Sequence, residues 1–535
     1  MTTGTGYRQA KLADAWDAIV IGSGIGGLTA AVLMAVHGGK RVLVLERHDE
    51  AGGFTHTFHR AGFQWDVGLH YIGQMEEGSA VRRSFDHVTA GQVEWQRMPE
   101  VYDRVIVGDL RFDFAAGVER FREGLKRVFP AEGRAIDRYI TAVMACNRAS
   151  GLYYAEKAIP GAIASLVGGL MRIPYMRWAR QTTAEVLGRM TTNPELIGVL
   201  TAQWGDYGLP PGRSSFAVHA TIAEHYFGGA WYPVGGAGTI ARSIVGQLER
   251  RGGALATSAE VAEILVDGEK AAGVRMSDGR EFRASLVVSD AGASNTLERL
   301  LPAELTAMDS LRRELRGIES STAHLSLYVG LSKSDSELGL KGTNLWVYPS
   351  LDHDGNVRRF ARDVDSPFPV VYLSFPSAKD PTFQHRYPGK STVEAITMAP
   401  YEAFANWAEA KWKRRGEDYE ALKRRLADRL LEELERQAPA VKGNVEHMEL
   451  STPVTTRHFM NYERGEIYGI ASTPERFKMR ALGARTPIQG LLLTGQDVAS
   501  LGVIGALFGG VICASVALGR NLLSVVKRQR LESGE

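Results

Sequence analysis

The chain has 535 residues, enough for two or three domains, and 44% of them are hydrophobic, which excludes a chain that is disordered throughout. Its 63 basic and 61 acidic side chains give a formal charge of +2, so nucleic-acid binding driven by bulk charge is excluded as well. Two cysteines cannot form a disulfide framework, and the first sixteen residues hold no apolar signal-peptide segment, so we expect a cytoplasmic protein.

The first predicted elements are a strand, a glycine-rich turn, a helix and a second strand. The apolar run from Asp17 is typical of a strand buried on both faces of a parallel sheet. It continues into Gly22-Ser23-Gly24-Ile25-Gly26-Gly27, then into a predicted helix over Leu28–His37 and a strand over Arg41–Glu46. This order of elements around a GxGxxG motif predicts a Rossmann-like dinucleotide-binding unit.

Each position of this motif has a physical reason. Gly22 permits the tight turn, Gly24 lets a pyrophosphate approach the backbone, and Gly27 lets the helix pack closely on the strand. The phosphates would accept hydrogen bonds from the first amides of the helix. Glu46, at the end of the second strand, is placed to accept hydrogen bonds from a ribose diol. NAD and FAD both use this motif, so it leaves the choice between them open.

The next segment carries a resemblance to a known family. The stretches GGFTHTF, from Gly52, and GLHYIG, ending at Gly73, resemble the FAD-dependent phytoene desaturase and amine oxidase superfamily. They are most similar to its retinol saturase (all-trans-retinol 13,14-reductase) and carotenoid isomerase branch. In that superfamily the Gly-Gly segment runs beneath the flavin diphosphate, and the stretch matching Asp66–Gly73 approaches the isoalloxazine. The resemblance implies FAD and, as further cofactor-binding residues, Arg47, Gly52, Gly53, Phe54 and Thr55.

A segment without charge, Ala158–Met171, lies in the middle of the chain and is followed by Arg172, Arg177 and Arg180. Its fourteen residues are too few to span a bilayer. Apolar residues next to aromatic and basic ones suit a helix at 158–180 that lies in a membrane interface, which would make the protein peripheral at the inner face of a membrane. A buried helix that lines a substrate cavity fits the sequence equally well, and both interpretations stay open.

Elements typical of the nucleotide-binding domain return between residues 230 and 296. A helix is predicted over Thr239–Arg251, and strands are predicted at Val261–Val266 and Leu286–Asp290, with a hairpin turn at Asp278-Gly279. The resembling family places the residue that matches Val261 against the adenine. Farther along, segments 321–330 and 370–375 have strand character, and 401–437 predicts a solvated amphipathic helix interrupted by a glycine.

Near the end of the chain, a predicted strand at 490–494 leads into Val498–Leu518, twenty-one residues without a charge. That length satisfies the rule for a transmembrane helix. Its four glycines and the strand with a turn before it favour a buried helix beneath a flavin instead. In the resembling family this is the flavin-binding return, with the acid near the ribityl chain and the helix N-terminus facing the flavin ring. The residues that the resemblance implies here are Gly495, Asp497, Gly502 and Ile504.

Together these elements predict an α/β fold with a Rossmann-like FAD-binding domain of the glutathione-reductase type and a second, α+β, substrate-binding domain. The FAD-binding domain is expected to be discontinuous, over 14–75, 230–296 and 485–530. Residues 76–229 and 297–484 form the substrate-binding domain, including the candidate membrane-contact helix.

The resemblance implies saturation, desaturation or isomerisation of a C=C bond in a long hydrophobic polyene, isoprenoid or acyl lipid. A flavin exchanges hydride with a substrate carbon, and a proton is added or removed at the neighbouring carbon. His70 and Tyr71 are the candidate catalytic residues because they lie in the flavin-facing motif; a structural role for either stays open. The sequence gives neither the direction of the reaction nor the substrate.

Alternative enzymes are a carotenoid or phytoene desaturase and a fatty-acyl desaturase. An alternative of another class is a flavin-free isoprenoid-lipid carrier of the GDP-dissociation-inhibitor type, against which the intact GxGxxG motif and the intact return at Gly495 argue. His56 and His59 imitate a metal pair but lie among predicted flavin-binding strands, so we expect no metal site. The chain has one dinucleotide motif, so we expect an electron donor or acceptor other than a tightly bound nicotinamide, whose identity stays open.

Overall fold

The computed structural model describes residues 3–159, 161–479 and 481–528, with the side chains of helix α5 described from Leu166 onward. Residues 160, 480 and 529–530, which belong to predicted ranges, lie outside the described residues. The strands in chain order are β1 Thr5–Gly6, β2 Ala18–Ile21, β3 Val42–Leu45, β4 Thr57–Arg60, β5 Phe63–Asp66, β6 Ile72–Gly73, β7 Trp95–Arg97, β8 Val101–Val107, β9 Leu110–Ala115, β10 Ala230–Pro233, β11 Ala254–Thr257, β12 Val261–Asp267, β13 Lys270–Met276, β14 Glu281–Arg283, β15 Val287–Ser289, β16 Ala323–Leu331, β17 Asn344–Val347, β18 Val371–Ser374, β19 Ser391–Ala399, β20 Val445–Ser451 and β21 Leu491–Leu493.

The α-helices in chain order are α1 Ile25–Gly38, α2 Ala80–Thr89, α3 Val118–Val128, α4 Gly133–Ala158, α5 Gly161–Ala179, α6 Thr183–Gly188, α7 Pro194–Leu200, α8 Phe216–Phe227, α9 Gly238–Glu249, α10 Ala293–Asn295, α11 Asp309–Arg316, α12 Asp335–Leu338, α13 His353–Arg362, α14 Pro376–Lys379, α15 Phe383–Arg386, α16 Glu417–Gln437, α17 Pro453–Met460, α18 Gly502–Leu518 and α19 Leu523–Val526.

A parallel sheet in the order β1-β11-β3-β2-β15-β21 forms the Rossmann-like region, six strands wide within the described residues. Every residue of β2, β3, β15 and β21 is buried, which explains why the sequence shows continuous apolar runs there instead of alternation. All of these strands except β1 come from 14–75, 230–296 and 485–530. The helix predicted over Leu28–His37 begins three residues earlier, at Ile25, because Gly26 and Gly27 already form its first turn.

The uncharged segment near the end of the chain forms α18, which packs along α1. A side chain at Gly510 would lie 2.5 Å from the carbonyl oxygen of Gly26, and one at Gly509 would meet the backbone of Gly495. Glycine at these positions therefore allows the two helices and the turn after β21 to approach closely. Among the described residues, no helix has the length and apolar character needed to cross a membrane.

A second, mixed sheet in the order β20-β16-β19-β18-β17-β8-β9 forms most of the remaining region. Its strands pair antiparallel except β17 with β8. Helix α16 covers it with Leu426, Leu430 and Leu434, buried at the spacing of one helix face. The predicted amphipathic helix thus begins only after Gly416, and Tyr401–Trp407 forms a 3₁₀ turn instead. The Rossmann-like region and this mixed α and β region confirm the predicted fold class.

Candidate cofactor and substrate site

One cavity of about 630 Å³ is lined by residues from both regions of the molecule. Its volume falls within the usual range of small-molecule sites, ~300–1,000 Å³. Part of its wall is the glycine-rich turn after β2 together with the end of β3. Another part is aromatic and comes from the second region: Tyr154, Tyr226, Trp346, Tyr372 and Tyr468. The same space therefore adjoins the dinucleotide motif and a surface suited to an apolar, conjugated ligand.

The turn that opens α1 is built for close backbone approach. Gly22 has a φ of +93°, a conformation that favours glycine, and Gly24 caps α1 without a side-chain hydrogen bond. A side chain at Gly53 would lie 3.1 Å from the Cα atom of Gly24, so the Gly-Gly segment passes directly against this turn. These backbones leave a narrow cradle at the start of the helix, where amide groups and the helix dipole favour an anion.

Glu46 lies in the cavity wall and is held by three hydrogen bonds. One carboxylate oxygen accepts from the backbone N–H of Ser23 at 2.8 Å and from its hydroxyl at 2.6 Å; the other accepts from the backbone N–H of His48 at 2.7 Å. The Ser23 hydroxyl oxygen in turn accepts from the N–H of Gly52 at 3.1 Å. This network fixes the carboxylate that the sequence predicts as the ribose acceptor and joins it to the Gly-Gly segment.

Asp290, which the sequence analysis did not single out, lies at the same turn. Its carboxyl lies beside Gly24 and Gly27, whose backbone N–H groups act to lower its pKa. Burial raises its pKa to about 8, against the lowering effect of these N–H groups. The group is therefore mostly uncharged at neutral pH. An uncharged carboxyl next to the start of α1 fits an anionic ligand there better than a carboxylate would.

The cavity brings most of the predicted cofactor-binding residues together. Those in its wall are Gly22, Gly24, Glu46, Arg47, Gly52, Gly53, Phe54, Thr55, Val261, Gly495, Gly502 and Ile504.

Three predicted residues do not line the cavity but lie behind residues that do: Ser23, Gly27 and Asp497. Ser23 is fully buried, and a side chain at Gly27 would meet the carbonyl oxygen of Gly22 at 2.5 Å. The carboxylate of Asp497 accepts from the N–H groups of Ala293 at 2.9 Å and Ile470 at 3.0 Å. It holds the return segment in place, and its neighbour Gln496 lies in the wall.

His70 lies in the cavity wall beside two buried ionisable side chains, those of Glu394 and Lys379. Its Nδ1 is 2.7 Å from Oε2 of Glu394, whose side chain is fully buried. Nζ of Lys379 donates to the carbonyl oxygen of His70 at 2.9 Å and to the hydroxyl of Ser374 at 2.7 Å. Burial lowers the pKa of Lys379 to about 7, against the opposite effect of nearby carboxylates.

Sequence reasoning missed both ionisable partners of His70. Lys379 lies in a short helix without any motif. Glu394 did leave a signal, because it is an acid in the middle of the apolar strand β19, STVEAITMA. A charge inside a strand that is buried along its whole length needs a partner, and that partner is often part of a site.

Tyr71 also lies in the cavity wall, and its hydroxyl contacts two acids. The oxygen is 2.9 Å from Oδ2 of Asp103 and 2.7 Å from Oδ2 of Asp206. Asp103 accepts further hydrogen bonds from Gln203 and Asn344, both at 2.8 Å. Burial raises the pKa of Asp103, and it raises that of Asp206 well above its usual range. Neither acid belongs to a motif, and only the fold brings them to Tyr71.

The described side chains of helix α5 test one of the two interpretations of the uncharged segment, the buried helix that lines the cavity. Leu166, Leu170 and Ile173 are 82%, 72% and 61% exposed, and no described residue of α5 lies in the cavity wall. The interpretation as a buried helix lining the cavity is therefore wrong for this part of the segment. The neighbouring α4 does line the cavity, with Ser150 among others, and on the same helix Leu152 is exposed.

Comparison with known proteins gives three levels of similarity. Residues 20–88 match the family described as NAD(P)-binding Rossmann-like domain. The all-trans-retinol 13,14-reductase of Danio rerio is 37% identical over 97% of this chain and 88% of its own length. Prolycopene isomerase 1, chloroplastic, of an Oncidium hybrid cultivar is 28% identical over 96% of this chain and 86% of its own. A solved putrescine oxidase bound to putrescine shares the fold, with a TM-score of 0.60, 14% identity, and 96% and 99% of the two chains covered.

Proposed function

The chain belongs to the all-trans-retinol 13,14-reductase family, and we propose from this premise that it saturates a C=C bond of a long hydrophobic polyene with FAD as its cofactor. The chain is an oxidoreductase of the class that acts on C=C bonds. One observation carries the proposal: a single cavity joins the glycine-rich turn and Glu46 to an aromatic wall. A nucleotide cofactor and a conjugated substrate would meet in that space.

The residues present fit FAD. The start of α1 and the Gly-Gly segment would hold the diphosphate, Glu46 the adenosine ribose, and Val261 the adenine. Gly495, Gly502 and Ile504 would face the flavin end, supported from behind by Asp497. Bound FAD supplies hydride exchange with a substrate carbon. In this proposal 14–75, 230–296 and 485–530 are the cofactor domain, and 76–229 and 297–484 are the substrate domain.

The second region would bind and orient the polyene. Trp346, Tyr226 and Tyr372 present aromatic rings to the cavity, and such rings pack well against a conjugated chain and exclude water from it. We propose that His70 and Tyr71 act where the two regions meet. The ring of His70 lies against the Glu394 carboxyl, and its backbone carbonyl accepts a hydrogen bond from Lys379, which together place His70 in the cavity wall.

The exposed side of α5 would contact a membrane surface that contains the substrate. Leu166, Leu170 and Ile173 form an apolar surface next to the basic Arg177, as in helices that lie in a membrane interface. Arg172 does not contribute to this basic flank, because it pairs with Glu156 at 2.9 Å. We propose that a polyene enters from a lipid surface past α5 and α4.

The proposal is tested with the purified full chain in two steps. The bound cofactor is released by denaturation and identified by mass spectrometry, and FAD is the expected result. The protein is then reduced anaerobically with dithionite and mixed with all-trans-retinol in detergent micelles. A product heavier by two hydrogens is expected. A product of unchanged mass and altered double-bond geometry would instead make the chain an isomerase, and a protein that purifies without flavin would favour a lipid carrier.

A further inference from the structure

The hydroxyl of Tyr71 lies between two carboxyl groups. Two hydrogen bonds at this oxygen need two hydrogens, and the hydroxyl itself has only one. The hydroxyl has one hydrogen and can donate it to Asp103 or to Asp206, but not to both. If both acids were ionised, one of the two close contacts would place lone pairs against each other. Both contacts become hydrogen bonds only when one of the acids carries a proton.

The surroundings identify the acid that holds this proton. Asp103 is fully buried and accepts from the side-chain amides of Gln203 and Asn344 as well as from Tyr71, and such donors stabilise a carboxylate. In the described part of the chain, the Tyr71 hydroxyl is the one side-chain hydrogen-bond partner of the Asp206 carboxyl. The chain of donors therefore runs from Asp206 to Tyr71 and from Tyr71 to Asp103. The raised pKa of Asp206 agrees with this order.

Asp206, the first donor in this series of hydrogen bonds, lies at the cavity. Asp206 and Tyr71 both lie in the cavity wall, whereas Asp103 lies behind it. The ring of Tyr71 stacks on that of Tyr226 with centroids 4.4 Å apart, which fixes the hydroxyl between the two acids. The carboxyl group that carries the proton therefore lies beside the aromatic wall that would hold the polyene, with its hydrogen on the bond to Tyr71.

We propose that Asp206 is the general acid of the reduction, with Tyr71 and Asp103 as its positioning residues. The inference rests on the proposed function. The O–H bond of Asp206 breaks as a C–H bond forms at one alkene carbon, and a reduced flavin supplies hydride to the other carbon. The C=C π bond is lost, the alkene is reduced, the flavin is oxidised, and Asp206 remains as a carboxylate that regains a proton from water.

Other ionisable groups act on Asp206 from neighbouring elements. Lys379 on α14 favours the ionised form, and Asp103 on β8 opposes it. Tyr226, Tyr372 and Tyr468, whose own pKa values are raised by burial, interact with it as neutral groups. An acid that must be protonated gives a rate that falls as pH rises through its pKa, and the same groups set where that fall occurs.

The test compares Asp206→Asn and Tyr71→Phe with a matched control, Asp354→Asn. Asp354 has a raised pKa from burial but lies outside the cavity wall. Each protein is loaded with flavin, reduced with dithionite and mixed with all-trans-retinol in micelles, and product formation is followed across pH.

We expect Asp206→Asn to slow product formation by about a hundredfold or more at full flavin content. The fall of the rate at high pH should disappear in this variant. Tyr71→Phe should shift that fall, and Asp354→Asn should leave it unchanged. Wild-type rates in Asp206→Asn would overturn the proposal.

A second measurement does not depend on turnover. The infrared spectrum of the resting wild type minus that of Asp206→Asn should contain the C=O stretch of a protonated carboxyl group at neutral pH. The difference between wild type and Asp354→Asn should lack it. If retinol is not reduced but this band is present, the proposed function fails and the proton on Asp206 stands. If the band is missing, the assignment of Asp206 as an acid is wrong whatever the substrate.

Discussion

The Rossmann-like region and the mixed-sheet region build their parts of one cavity by different means. The first uses backbone: glycines at the turn after β2, the start of α1, and Gly53 against Gly24. The second uses side chains, with aromatic rings and buried acids on several elements. A site built from backbone restricts a few positions, at fixed spacing, to glycine. Such a restriction is visible in the sequence as a motif. A wall of side chains needs only the right fold, and its members are scattered along the chain.

The largest expected effect tests the backbone part of this comparison. Gly24→Val should abolish bound FAD, because its side chain would meet the carboxyl of Asp290 and block the start of α1. Flavin absorbance of the purified protein measures the loss. Gly188→Ala is the matched control, since a Cβ at Gly188 has no neighbour within 4 Å, and it should keep its flavin. Full flavin occupancy in Gly24→Val would show that the diphosphate does not rest on this turn.

A smaller effect is expected at the exposed helix of the mixed-sheet region. Leu170→Asp should lower binding to vesicles of anionic lipid by about tenfold, because burying a leucine side chain contributes roughly 1.5–3 kcal/mol. Sedimentation with the vesicles measures the bound fraction. Met448→Asp changes an exposed apolar residue on β20 and serves as the control. Equal losses in the two variants would remove α5 as the membrane-contact helix.

The aromatic wall can be tested without disturbing the cofactor. Trp346→Leu should raise the KM for all-trans-retinol roughly threefold to tenfold, because an aromatic contact contributes about 0.5–1.5 kcal/mol beyond its buried area. Flavin content should be unchanged, because Trp346 lies on β17 in the mixed-sheet region. Loss of flavin together with the change in KM would mean that the two regions do not act separately.

The smallest effect concerns Asp290, an ionisable group at the backbone cradle. As pH rises above about 8, the pKa of Asp290, its carboxyl becomes negative beside the expected diphosphate. The Kd for FAD should therefore rise, by about threefold between pH 7 and pH 9, and Asp290→Asn should show no such rise. Fluorescence titration of the apoprotein with FAD measures both. An identical pH dependence in the two proteins would place the diphosphate elsewhere.

These two ways of building a site also explain what could be predicted from the sequence. The GxGxxG turn, Glu46 and the glycines of α18 were found because each is constrained by a local backbone approach. The predicted helix boundary was wrong by three residues where glycines continued into the first turn of α1. Asp497 is predicted to lie near the ribityl chain, and that stays a prediction; the structure adds that its carboxylate accepts from the amides of Ala293 and Ile470, a partnership that local sequence cannot show.

The acids around Tyr71 could not have been predicted. Asp103 is on β8 and Asp206 in a 3₁₀ turn, more than a hundred residues apart in sequence order. Only the packing of the mixed sheet against the helices places them on one hydroxyl. Lys379 is similar, since nothing near it in the sequence indicates that its ammonium binds the backbone of His70. The position of Glu394 inside an apolar strand was the one local sign of buried charge.

The packing of α1 against α18 sets an order of events during synthesis. Gly26 leaves the ribosome early, but Gly510, which lies against it, is made nearly five hundred residues later. For most of translation the apolar surface of the first helix has no permanent neighbour and must be shielded from other chains. In the proposed function, FAD would therefore be retained only after α18 has been made, and its supply in the cell would affect how many nascent molecules mature.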